Sequence, residues 1–120
     1  MTNKKPMRGE IWLINFDPTV GAEIQKTRPG LILSSDSLGT LPLRIVAPLT
    51  GWRDDFKDNI WHVKISPKAE NGLKKDSAID LLQIKSFDEK RFLKKIGNVQ
   101  QKIIEEAVIA LLNVIDYEPN

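Results

Sequence analysis

The sequence predicts an α+β, mostly β fold, a small curled barrel of short strands followed by a terminal helix, and three observations carry that prediction. Apolar runs of strand length recur along most of the chain, bounded by Gly, Pro, Asn or Asp. The last stretch switches to a helical period, with one apolar stripe from Ile103 to Ile115. The length, 120 residues with 41% apolar and 28% charged, suits one domain over 1–120 with one core and argues against disorder.

The first strand is expected over 9–16, where Ile11, Trp12, Leu13 and Ile14 form a nearly continuous apolar run suited to burial on both faces. Asp17-Pro18 ends it as a turn-starting pair. A polar stretch, 20–30 (VGAEIQKTRPG), leads to a second strand at 31–35. Gly39 and Pro42 mark a turn at 36–42, and RIVAPL, from Arg44 to about Leu49, reads as the third strand. Pro48 implies an edge or a bulge there. A second polar loop, from Thr50 to Asn59, precedes IWHVKI, whose alternation sets Ile60, His62 and Lys64 opposite Trp61, Val63 and Ile65. Pro67 and Asn71-Gly72 make 66–75 a turn region, and strand character returns over 78–84 with a break near Asp80. Ser86 or Asp88 is placed to cap a short helix through Lys94, with a last strand at 95–99. In the terminal helix Ile109 and Val114 fall outside the stripe, and are expected as extra core in preference to facing a second subunit.

Composition narrows the chemistry. Without cysteine there is no disulfide, thiol nucleophile or thiolate metal site. No apolar run approaches the ~20 residues that cross a bilayer, and MTNKKPMRGE lacks the apolar centre of a secretory signal, so a cytoplasmic protein is expected. The net charge of +2 permits a polyanionic partner, with basic residues gathered at Lys4, Lys5, Arg8, Lys26 and Arg28 and again from Lys85 to Lys95. His62 is the single histidine, which excludes a two-histidine acid/base pair within one chain; in an alternating strand it reads as a face residue. Asp54, Asp55 and Asp58 lack the spacing of a calcium loop, and no metal site is expected from them.

The 20–30 stretch is longer than a hairpin needs, and long ordered loops on a rigid scaffold tend to carry function. Pro29 restricts Arg28 to an extended backbone at the entrance to a strand. A guanidinium is planar, permanently charged and suited to gripping a phosphate through two parallel hydrogen bonds. Thr50, at the end of the third strand, could aim a hydroxyl at the same phosphate.

Arg8-Gly9-Glu10-Ile11-Trp12, Asp17-Pro18 with Gly21 and Glu23, Arg28-Pro29 before LILS, Val46-Ala47-Pro48-Leu49-Thr50, Gly72-Leu73 with Ser77, Gln83-Ile84 and Asp88 to Arg91-Phe92 occur in this order. Together they resemble the MazF/PemK family of toxin endoribonucleases over nearly the whole chain. The resemblance implies an SH3-like (CcdB/PemK-like) barrel with a short helix and a C-terminal helix, acting as a homodimer without cofactor or metal. It implies cleavage of single-stranded RNA by the 2′-hydroxyl, leaving 2′,3′-cyclic phosphate and 5′-hydroxyl ends. An antitoxin with an acidic C-terminal segment would cover the RNA groove. Arg28 and Thr50 would be catalytic, with Glu23 either the base or the group that orients Arg28. Gln25, Lys26, Thr27, Pro48, Trp52, Arg53, Ser77 and Gln83 would contact RNA, Trp52 by stacking on a base unless it is folded into the core. Two departures bear on RNA contacts: Ile24 precedes Gln25 where many members have Glu-Gln, and Leu82 stands where an acidic residue is common. A CcdB-like gyrase binder would need a Trp-Gly-Ile terminus, whereas this chain ends Asp116-Tyr117-Glu118-Pro119-Asn120. The other alternative is a non-catalytic nucleic-acid-binding barrel, against which the Arg28/Thr50 pair speaks.

Overall fold

The computed structural model describes residues 5–118; Lys4 of the first basic cluster and Pro119-Asn120 of the terminus lie outside them. The sheet is built on β3 (Leu43–Gly51), long enough to hold three partners. β2 (Thr27–Ile32) runs antiparallel along one edge, while β6 (Lys85–Asp88) and then β5 (Ser77–Asp80) share the other. β1 (Glu10–Asn15) pairs with β2 and β7 (Phe92–Asn98), and β4 (His62–Ile65) extends the sheet beyond β5, giving seven antiparallel strands. The sheet curls until β7 meets the segment after β4. There the Asn98 amide donates to the Glu70 carbonyl at 2.8 Å. A side chain at Gly97 would lie 2.4 Å from that same carbonyl, so the closure needs glycine.

Alternation along the strands builds two cores. Ile11, Leu31, Ala47, Leu49 and Ile79 pack on one side under the helix α1 (Gln101–Val114), which buries Ile104, Ala107 and Ala110 against them. Trp12, Ile14, Phe16, Ile32, Val46, Phe87 and Phe92 form the other. The Arg8 to Trp12 motif is scaffold: Glu10 Oε1 accepts from the Trp12 indole and the Met7 amide, both at 2.9 Å, and Oε2 lies 3.0 Å from Lys95 Nζ. Burial pushes the Glu10 carboxyl up, but the indole, the amide and the ammonium together hold it below its ordinary value. Among the described residues no helix is long and apolar enough to cross a membrane.

The mostly-β fold with a terminal helix matches the sequence prediction, with four differences. β2 starts at Thr27, so Arg28 and Pro29 lie inside the strand; the β2–β3 ladder begins only at Gly30, and Pro29 is asked for no amide on that side. Pro48 is neither at an edge nor in a bulge but fully buried in the central strand. It is tolerated because β6 pairing stops at Val46 and β5 pairing starts at Leu49, leaving a gap where no neighbour needs its missing N–H. The expected helix from 86 or 88 to 94 is absent. Asp88 does cap, accepting from the Lys90 amide at 2.8 Å, but the turn Glu89–Arg91 stops after three residues as Phe92 enters the core as a strand. Ile109 is 59% exposed and so is not core, while Val114 is half-buried.

Candidate active site

The β2–β3 ladder ends at the Gly30–Pro48 pair; continued two residues further, its register would oppose Arg28 to Thr50. Alternation puts both on the face that holds Pro48 and the Phe16–Phe87 core. Arg28 Nε donates to the Gln25 carbonyl at 2.9 Å, which fixes the guanidinium plane. Its terminal amino groups and the Thr50 hydroxyl have no hydrogen-bond partner among the described residues.

The gap between β5 and β6 opens into a pocket of about 430 Å3, whose lining includes Pro48 but neither Arg28 nor Thr50. Pro48, Phe16 and Phe87 line one part of it, and Glu23, Leu82 and Gln83 another. Phe87 meets Phe16 edge-on at 5.1 Å and carries two cations on its ring, Lys85 Nζ at 5.6 Å and the Arg91 guanidinium at 5.4 Å. An aromatic wall with nearby positive charge suits a planar group joined to an anion.

Long-range contacts hold the pocket's moving parts. Asp80 Oδ1 accepts from the Leu82 and Gln83 amides, turning the chain sharply after β5. Gln83 Oε1 then accepts from the Ile24 amide at 2.7 Å and its Nε2 donates to the Ala22 carbonyl at 3.4 Å, pinning the loop across the gap. From the other side Arg91 donates to the Asn15 and Asp17 carbonyls, and Asp17 Oδ1 accepts from the Lys26 amide. Lys26 itself has a φ of 72°, so the loop turns sharply before β2.

Glu23 lies in the pocket wall, and its Oε1 accepts from the Val20 amide at 2.9 Å; it makes no ion pair with Arg28. Gln25, Lys26 and Thr27 form the exposed approach to Arg28. Trp52, Arg53 and Ser77 stand apart from the pocket. Trp52 packs edge-on to Phe56 at 5.8 Å with Lys64 Nζ 5.2 Å from its ring centroid, which favours the folded-under alternative over a free stacking platform. Arg53 is paired with Asp55 through two nitrogens, at 2.8 and 3.1 Å. The Ser77 hydroxyl donates to the Lys75 carbonyl, on the opposite face of the sheet from Thr50.

His62 also lies elsewhere, stacked on Phe56 at 4.0 Å and 3.7 Å from Asp80 Oδ2. Burial lowers its pKa against the opposing pull of Asp80 and Asp55, so the contact is not an ion pair at neutral pH. Among the described residues no three His, Asp or Glu side chains converge into a metal-binding group. Sequence reasoning missed Phe16, Phe87, Asp80 and Arg91 as site builders. Phe16 ends the first expected strand, Phe87 falls where a helix is expected to start, and nothing local announces that Asp80 and Arg91 reach the loop.

The family model for the PemK-like, MazF-like toxin of type II toxin-antitoxin system matches residues 7–115. Endoribonuclease EndoA of Bacillus subtilis (strain 168) is 32% identical over 114 residues, covering 92% of this chain and 97% of that protein. The crystal structure of MazF (Form-I) from Deinococcus radiodurans superposes with a TM-score of 0.77 at 22% identity, over 92% of this chain and 96% of that one. An endoribonuclease in complex with its cognate antitoxin, from Mycobacterial species, gives 0.75 at 15% identity, over 97% and 100%. At such identities the two structures bear on the fold alone.

Proposed function

From the chain's membership of the PemK-like, MazF-like toxin family of type II toxin-antitoxin systems, shown by the match over 7–115, we propose that it is an endoribonuclease acting on single-stranded RNA. The observation that carries the reading is a guanidinium tied down by Nε, its terminal amino groups without partners among the described residues, on a strand whose register with β3, continued past Gly30, would oppose it to the Thr50 hydroxyl. In the proposed step the substrate's 2′-oxygen loses its proton and bonds to phosphorus. The P–O5′ bond breaks and the 5′-oxygen gains a proton, giving a 2′,3′-cyclic phosphate and a 5′-hydroxyl. Negative charge grows on the non-bridging oxygens, and donors already in place stabilise it more than they stabilise the ground state. Arg28 supplies two such donors and Thr50 a third. Arginine keeps its proton, so it is not the base. Glu23 lines the pocket that holds Pro48, two residues before Thr50, and one of its carboxylate oxygens has no partner among the described residues, which supports giving it the 2′-proton. The base subsite is the pocket of Pro48, Phe16 and Gln83.

Membership of a toxin family of type II toxin-antitoxin systems supports a protein partner, and an acidic segment of it would compete for this pocket. The exposed apolar side chains of Ile109 and Ile115 support a homodimer. The test is incubation with a mixed-sequence RNA in EDTA followed by sequencing of the ends. Cleavage at a recurring site is expected, and intact RNA would refute the reading.

A further inference from the structure

A second cleft, about 640 Å3, lies on the other face of the sheet from Arg28 and Thr50. Its floor is apolar, with Leu13 and Pro29, which are paired across β1 and β2, and Leu73. Its rim carries Lys74, Lys75, Lys94 and Lys95. Glu10 neutralises Lys95 at 3.0 Å; none of the other three ammonium groups has a carboxylate within 4.0 Å among the described residues. The cleft begins one residue from each half of the candidate catalytic pair. Pro29 follows Arg28, and Lys75 Nζ sits 3.3 Å from where a side chain on Gly51, the neighbour of Thr50, would start. The loop cations expected to form an RNA track fit that role less well, since Arg53 is already held by Asp55.

We infer that the lysine cleft binds phosphates of the RNA flanking the scissile bond. The substrate then bends over the end of the β1–β2–β3 sheet, with its read base on one face and its flank on the other. This rests on the RNA-cleaving reading and extends it. Continuity with Arg28 and Thr50 favours RNA over an acidic peptide. A second copy docked about a two-fold axis through the cleft would oppose lysines to lysines.

The experiment uses two RNAs blocked by a 2′-deoxy nucleotide at the mapped cleavage position, one holding only the site and one extended on both sides. The wild-type protein should bind the extended RNA more tightly and with the steeper salt dependence. Lys74→Ala/Lys94→Ala should lose that advantage, its log K against log salt slope falling by about 0.7 per lost phosphate contact. Cleavage of the short, unblocked RNA should be unchanged, and Lys74→Arg/Lys94→Arg should behave as wild type. Wild-type affinity and slope in the alanine variant would overturn the assignment while leaving the cleavage reading intact. So would loss of an acidic peptide's binding with RNA binding unaltered, which gives the cleft to a protein partner. If the wild-type protein cuts no RNA, both readings fall together.

Discussion

A guanidinium held by Nε to the Gln25 carbonyl cannot swing away from Thr50 without losing a hydrogen bond, while both amino groups stay ready for a phosphate. Arg28→Ala and Thr50→Ala should therefore each lower kcat by roughly 10²–10³, the usual loss for one transition-state donor, without shifting the melting temperature. Arg28→Lys should also be poor, because a point charge lacks the planar fork. Asp80 acts through others, so Asp80→Ala should free the Leu82 and Gln83 amides and raise KM more than it lowers kcat. The expected size is about tenfold, from about 1–2 kcal/mol of lost hydrogen bonding. His62 links the same region to pH. Its folded pKa lies below the ordinary 6.5, so between the two values the unfolded chain binds the extra proton. Stability should be complete above that window and fall as the pH drops below 6.5, and His62→Gln should flatten this part of a denaturation–pH profile. Arg28 and Thr50 are proposed from the sequence because side-chain chemistry and the family pattern agree on them. Asp80 was not legible, since its role is a contact to a turn that aims Gln83 at residues 59 and 61 positions away.

Partner exchange along β3 is what makes room for the site. One edge loses β6 at Val46 and gains β5 at Leu49, so the pocket is a gap in a sheet rather than a groove on it. The terminal helix was legible because its stripe is local, although Ile115, expected in that stripe, lies past the helix end and is exposed. The turn at Glu89–Arg91 was not, because the capping residues of a helix and of a single 3-10 turn look alike, and only burial of Phe87 and Phe92 decides between them. The expectation that Pro48 marks an edge failed for a related reason: a central strand that changes neighbours has a position with no partner. Closure at β7 leaves no room for a side chain. Gly97→Ala would press a methyl group 2.4 Å from the Glu70 carbonyl and 2.5 Å from the Asn71 backbone. A loss of about 1–3 kcal/mol in urea unfolding is expected from such overpacking. A neutral Gly97→Ala would show that the barrel does not close there.

At the scale of the whole molecule, Ile109 leaves an exposed apolar side chain on the face of α1 away from Ile104, Ala107 and Ala110, and Ile115, just past the helix end, is exposed as well. Light scattering should give twice the chain mass, and Ile109→Glu should shift the protein towards the monomer; an unchanged dimer would move the interface elsewhere. The central claim is that Arg28 and Thr50 stabilise an in-line attack by the RNA's own 2′-hydroxyl. It is tested most directly by the chemistry of the ends produced from one labelled RNA in EDTA, by wild-type protein and by Arg28→Ala. The wild type should leave 2′,3′-cyclic phosphate and 5′-hydroxyl ends, the variant almost none, and no cutting should occur when the attacking 2′-hydroxyl is replaced by hydrogen. Cutting of that deoxy substrate, or 5′-phosphate ends, would contradict the claim.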